Sequence, residues 1–172
     1  MLQRKTIAYH LMAIPSLLFA FALASAVAPE VKDKAHFFKD ETIRKVDKMA
    51  REIAKEYDRD VVVETVLAVP EDQKERVKAM TAEDRTRFFS NWCTDRAEVT
   101  VTHGVYILIC KDPPHLALEI TKESQAAFGK GGHDKMLGAL LNAFHEKHFD
   151  EGIVAAMEFA RERFAAAKKG TP

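Results

Sequence analysis

Gly104-Val105-Tyr106-Ile107-Leu108-Ile109-Cys110 is the strongest strand signal in the chain. Successive side chains of a strand point to opposite faces, so a run that is apolar at every position predicts a strand covered on both sides. It is therefore expected at the centre of a sheet with a layer on each face. A turn follows at Lys111-Asp112-Pro113-Pro114, after which Leu116, Leu118 and Ile120 alternate with Ala117 and Glu119. The short connection makes this next strand antiparallel to its predecessor, and the alternation puts it nearer an edge.

Upstream, Val61-Val62-Val63-Glu64-Thr65-Val66 is β-branched and almost unbroken, a second strand of the covered kind. Between the two strands, Thr81-Ala82-Glu83-Asp84 has the pattern of a capping box opening a helix that carries Phe88, Phe89, Trp92 and Ala97. A helix joining two covered strands is a right-handed crossover, which makes the strands parallel. The alternating valines of Glu98 to Thr102 admit a short additional strand. Before the first strand, Asp40 is the expected N-cap of a helix whose apolar positions Ile43, Val46, Ala50, Ile53, Ala54 and Tyr57 recur at three and four.

Downstream, Gly129-Lys130-Gly131-Gly132 breaks the chain before a helix bearing Met136, Leu137, Leu140, Leu141 and Phe144. Asp150 starts a last helix with Ile153, Val154, Met157, Ala160 and Phe164, and Lys168-Lys169-Gly170 reads as a frayed tail. The fold class expected is α/β: a three-layer α/β/α sandwich with a mixed, mainly parallel sheet, in a single domain over residues 27–172.

Residues 1–26 read as an export signal. Arg4 and Lys5 precede an apolar run from Ile7 to Leu23, and Ala24-Ser25-Ala26 supplies the small-x-small cleavage pattern. The expected location is the periplasm or its equivalent, with the segment 7–23 as a membrane anchor if it is retained. The full chain balances 26 Lys and Arg against 26 Asp and Glu, interleaved as in Lys45-Val46-Asp47-Lys48 and Arg161-Glu162-Arg163. There is no concentrated basic face, so a nucleic-acid partner is not expected. The two cysteines, Cys93 and Cys110, are placed on a helix and on the strand that follows it, roughly 10 Å apart along the axis. That is too far for a disulfide, and both are expected in the core.

Motifs for chemistry are sparse. The carboxyl ends of the covered strands, where open α/β sheets bind ligands, offer Thr65 and Lys111-Asp112. Asp112 is a candidate hard-cation ligand or general base, and in Asp-Pro-Pro it is equally a turn former. His145 and His148 are expected on one face near a helix end, where the dipole favours polar groups without a metal. The Gly129–Gly132 loop lacks the Ser/Thr and spacing of a phosphate loop. Trp92-Cys93 does not read as a nucleophile, because an apolar helix face raises a thiol pKa.

Taken in order, Val31-Lys32-Asp33-Lys34-Ala35, the strand Asp60 to Val66, Asn91-Trp92, and Thr102-His103-Gly104-Val105-Tyr106-Ile107-Leu108 resemble the TPM domain family. That family includes a thylakoid-lumen acid phosphatase linked to photosystem II repair and many exported bacterial proteins. The resemblance covers about residues 29–165. His36 stands where the opening motif of the family has Gly, and Thr102-His103 replace an Asp-Asn pair before the central strand. It implies a ligand or cation site drawn from Asp33, Glu64, His103 and Asp112, with Asp33 the foremost. The plainer role of Asp33 is a local hydrogen bond fixing the chain that enters the first helix.

Two functions follow from the resemblance: an exported accessory or binding domain in the maintenance of envelope proteins, or a metal-assisted phosphatase acting on phosphomonoesters. The first is preferred because an acidic ligand is replaced at Thr102-His103. No cofactor is expected beyond weak calcium or magnesium binding, and the partner is an unspecified protein or small ligand. N-terminal sequencing of the exported protein should begin at Val27, whereas a membrane-bound species retaining Met1 would overturn cleavage.

Overall fold

The strand quoted above forms β3 (Val105–Asp112), with β2 (Val61–Ala68) parallel on one side and β4 (His115–Ile120) antiparallel on the other. In this computed structural model, which describes residues 31–170, a two-residue strand β1 (Lys32–Asp33) adds parallel to β2. Among the described residues the sheet order is β1-β2-β3-β4. The helices are α1 (Asp40–Tyr57), α2 (Lys74–Ala79), α3 (Ala82–Val99), α4 (Gln125–Phe128), α5 (Gly132–His145) and α6 (Phe149–Gly170). A 3-10 turn, Glu71–Gln73, leads into α2. The expected leader, residues 1–26, lies outside the described residues. Among these, no helix is long and apolar enough to cross a membrane.

Side-chain alternation on β2, β3 and β4 produces two separate half-cores. Val61, Val63, Val105, Ile107, Ile109, Leu116, Leu118 and Ile120 pack against α1, α4, α5 and α6, through residues such as Ile53, Phe128, Leu140 and Met157. Val62, Tyr106, Leu108, Cys110 and Ala117 pack against α2 and α3, through Val77, Phe89, Cys93 and Ala97. These are the two helical layers of an α/β sandwich. A wholly buried residue such as Ile107 contributes about 2 kcal/mol relative to exposure. Neither cysteine is paired, and both are buried.

Several local expectations are corrected. The capping residue of α1 is Lys39, not Asp40, which is already helical. The Lys39 amide donates to Asp150 Oδ1 at 3.0 Å, so the start of α1 is tied to α6. Glu98 to Thr102 is not a strand: α3 continues to Val99, the Thr100 hydroxyl donates to the Arg96 carbonyl at 2.8 Å, and Val101 takes φ 52°. Its valines are exposed, Val99 at 75% and Val101 at 67%. The end of α6 is helical to Gly170, because Lys168 Nζ donates to the Glu56 carbonyl at 2.9 Å and lies over the Tyr57 ring. The capping box at Thr81 is present, with the Thr81 hydroxyl accepting the Asp84 amide at 3.1 Å. The Val31–Ala35 stretch does lead into α1, and within it Lys32–Asp33 pairs as an additional strand that sequence periodicity does not mark.

Gly104 sits where β2 and β3 begin, beside Asp60. The Val105 amide donates to the Asp60 carbonyl at 2.9 Å, and a Cβ on Gly104 would stand 1.9 Å from that oxygen. Backbone, not a flexible side chain, is the obstacle. Gly104→Ala should therefore cost on the order of 3 kcal/mol, read as a lower denaturant midpoint; an unchanged midpoint would show that the two strand starts can separate.

Candidate functional site

Asp33 ends β1, in register with Thr65 on β2. Its Oδ1 accepts the Thr65 hydroxyl at 2.6 Å and the Phe37 amide at 3.1 Å, and its Oδ2 accepts the Phe38 amide at 2.9 Å. Thr65 Oγ1 accepts the Ala35 amide at 2.9 Å in return. The carboxylate thus folds the Asp33–Phe38 chain back on itself and pins it to the sheet. The tight path places His36 at φ 55°, in the left-handed region that Gly occupies most easily. That geometry accounts for a Gly at this position in the resembling motif. Lys111 Nζ reaches across from β3 to the Ala35 carbonyl at 3.3 Å.

Glu64 lies one residue before Thr65 and so points to the opposite face of the sheet. There it is almost wholly buried, with 1% exposure. Arg96 of α3 meets it with two bonds, Nε to Oε2 at 2.8 Å and Nη2 to Oε1 at 2.6 Å, and the Tyr106 hydroxyl donates to Oε2 as well. Burial alone would raise the Glu64 pKa, but the Arg96 and Tyr106 bonds and the guanidinium charge outweigh it and leave the group below its ordinary value. Burial, reinforced by the Glu64 bond, pushes Tyr106 far up. Nearby, the Cys93 thiol donates to the Tyr106 carbonyl at 3.6 Å, and burial raises its pKa to about 12. It is no nucleophile at neutral pH.

Thr102 and His103 stand at the other end of β3. Thr102 is buried with its hydroxyl 2.8 Å from that of Thr100. His103 is exposed; its amide donates to Asp60 Oδ2 at 3.1 Å and its carbonyl accepts the Ser124 hydroxyl at 3.3 Å. The pair lines a cleft of about 420 Å³ between the last turns of α3 and the β4–α4 connection, with Glu98, Glu119 and Glu123 around it. Glu119 accepts the Thr94 hydroxyl at 2.8 Å. The Glu123 pKa is lowered, first by its own backbone amide and then by the Thr121 hydroxyl.

The four residues singled out from sequence are not brought together. Asp33 is level with Ile109, three positions short of Asp112, which is roughly 10 Å along the strands. Asp112 is exposed, and its carbonyl closes the strand end by accepting the Val69 amide at 3.2 Å. Glu64 is on the other face, and His103 is roughly 30 Å from Asp112 at the opposite end of β3. Among the described residues there is no group of three or more His, Cys, Asp or Glu arranged to hold a metal ion. His145 ends α5 while His148 lies beyond it, after Lys147 at φ 62°, so the two do not share a helix face as expected. Arg96 and Tyr106 were not anticipated. The available signal was Glu64 itself, a lone carboxylate in a strand covered on both faces, which demands a cationic partner from the covering helix.

The linkage of Glu64 has a definite sign. Its folded pKa is depressed below the unfolded 4.5, so the pair stabilises fully above that value and loses its contribution as pH falls through the folded pKa. Arg96→Leu leaves the carboxylate buried and unpaired, which should cost about 3 kcal/mol at pH 7. Without Arg96, burial raises the Glu64 pKa, so the gap between parent and variant unfolding midpoints should narrow as pH falls from that raised value through the depressed folded value of the parent. A gap independent of pH would show that Arg96 acts through packing alone.

The model of the TPM domain matches residues 31–162, from the chain ahead of β1 into α6. No curated protein matches the sequence. The matched span contains the whole sheet, the Asp33 tether, the Glu64–Arg96–Tyr106 network and the Thr102-His103 cleft, and by this match the chain belongs to the TPM domain family.

Proposed function

We propose that this protein is an exported accessory or binding domain, serving the maintenance of envelope proteins, rather than a metal-assisted phosphatase. The observation that carries the reading is the chemistry of the cleft at the start of β3. Calcium takes six to eight oxygens, several of them carboxylates. Where the resembling motif has an Asp-Asn pair, this chain presents Thr102, whose hydroxyl is engaged with Thr100, and His103, a nitrogen donor on the exposed rim. The cleft's glutamates, Glu98, Glu119 and Glu123, do not make up for the lost pair, since among the described residues no three acidic or histidine side chains converge as a metal site. Asp33 and Glu64 are each occupied by protein donors, on opposite faces of the sheet. Phosphoryl transfer draws on charge converging on the reacting group, and the charged side chains around this cleft form no converging metal-binding group among the described residues.

The leader-like residues 1–26 support placing this activity outside the cytoplasm, in the periplasm or its equivalent. The client is a protein or a small ligand that the cleft or the helical faces admit.

Thermal unfolding with and without millimolar calcium or magnesium is the test, since a ligand that binds only the native state raises the midpoint. The parent should show no shift and no hydrolysis of p-nitrophenyl phosphate. The double substitution Thr102→Asp, His103→Asn should restore oxygen donors and bring a cation-dependent rise. A clear shift in the parent, together with turnover, would sink the binding-domain reading and establish the phosphatase.

A further inference from the structure

The far end of β3 from this cleft holds a second cavity of different character. A pocket of about 470 Å³ opens between the chain entering α1, the β3–β4 hairpin and the α5–α6 turn. Its size is that of a small-molecule site. The floor is aromatic: Phe37, Phe144 and Phe149 meet with ring centroids 5.9, 5.2 and 5.0 Å apart, yet each ring stays only half-buried. Leu141 on α5 borders the pocket with 47% exposure. Apolar surface is therefore left open to water around a concavity, where an apolar body would cover it.

Charge at the rim is one-sided. Lys111, His145 and Lys147 line the pocket, and no lining residue is acidic. The carboxylates nearest in sequence are turned elsewhere: Asp112, next to Lys111 on β3, points to the opposite face, toward Lys78. Glu146 pairs with His148 at 3.5 Å, Asp150 with Lys39 at 3.5 Å, and Asp33 with the Phe37 and Phe38 amides. Lys111 is held at the mouth by its bond to the Ala35 carbonyl, and the left-handed conformation of Lys147 places it in the α5–α6 turn. The fourth polar residue, His115, is stacked on Phe89 of α3 at 4.2 Å, with its ring turned to the other face of the sheet.

From this combination we infer that the pocket binds a single amphiphilic carboxylate, a medium-chain fatty acid, with its acyl chain against the three phenylalanines and Leu141 and its carboxylate between Lys111 and Lys147. Walls from three elements form a half-open concavity sized for one chain, unlike the flat face that a bilayer requires. The assignment is independent of the role proposed for the Thr102-His103 cleft.

Calorimetric titration of the protein with decanoate below its micelle concentration tests it, with decyltrimethylammonium as the tail-matched cation. Decanoate should bind, and decyltrimethylammonium should bind at least about tenfold more weakly. Lys111→Gln and Lys147→Asn should each weaken decanoate about tenfold, since a charge-assisted bond is lost. Leu141→Asp, at an exposed position, should abolish binding while leaving the unfolding midpoint near that of the parent. Failure to bind at about 1 mM, equal affinity for the two head groups, indifference to all three substitutions, or binding only to phosphatidylglycerol vesicles would each overturn the assignment.

Discussion

Among the described residues, Glu64 is the one carboxylate buried in the sheet, and much of the architecture is arranged around keeping it charged. A carboxylate in an apolar layer is tolerated only with a partner of opposite charge and with its lone pairs occupied. Arg96 supplies the charge in a forked contact with both oxygens, and the Tyr106 hydroxyl adds a second bond to Oε2. These three residues come from β2, α3 and β3, so one interaction fixes how the crossover helix sits on the two strands it connects. Replacing such a pair by apolar residues is often neutral for stability. What the pair adds here is register: α3 cannot slide along the sheet without stranding a charge.

The layers were legible because the periodicity was strong. Two runs apolar on both faces, separated by a capped helix, leave few topologies open, and the four apolar stripes of α1, α3, α5 and α6 have to cover them. What sequence reading missed is short or held by distant partners. β1 has two residues and no strand pattern, and it exists because Asp33 and Thr65 pin it. The last turns of α6 are stabilised by Glu56 and Tyr57, more than a hundred residues earlier in the chain. The valines at Val99 and Val101 alternate like a strand but have nothing to pair with, while the helix before them is anchored through Arg96.

The candidate residues named from sequence stand apart in the fold, and strand geometry is what separates them. Asp33 was recognised through its motif, and the structure gives its carboxylate the job of a tether. His36 departs from the motif at a backbone angle that explains why the motif carries Gly there. Strand periodicity does separate Asp33 from Glu64 once β1 is known, but β1 itself was invisible. Membership of the TPM domain family therefore describes a shared scaffold; activity depends on which side chains stand at the start of β3 and around the strand ends.

The sheet divides the interior into two half-cores that share strands but few side-chain contacts. A volume change on the α3 side, at Phe89 or Cys93, is relayed to Met157 or Leu140 only through the backbone of β2 and β3. Substitutions that are far apart and lack common partners combine nearly additively. Each half-core can thus change largely on its own, so the α5 and α6 walls of the pocket can be remodelled without disturbing the packing of the crossover helix, whereas a change at His115, stacked on Phe89, reaches both. The partition makes the fold modular in evolution as well as layered in space.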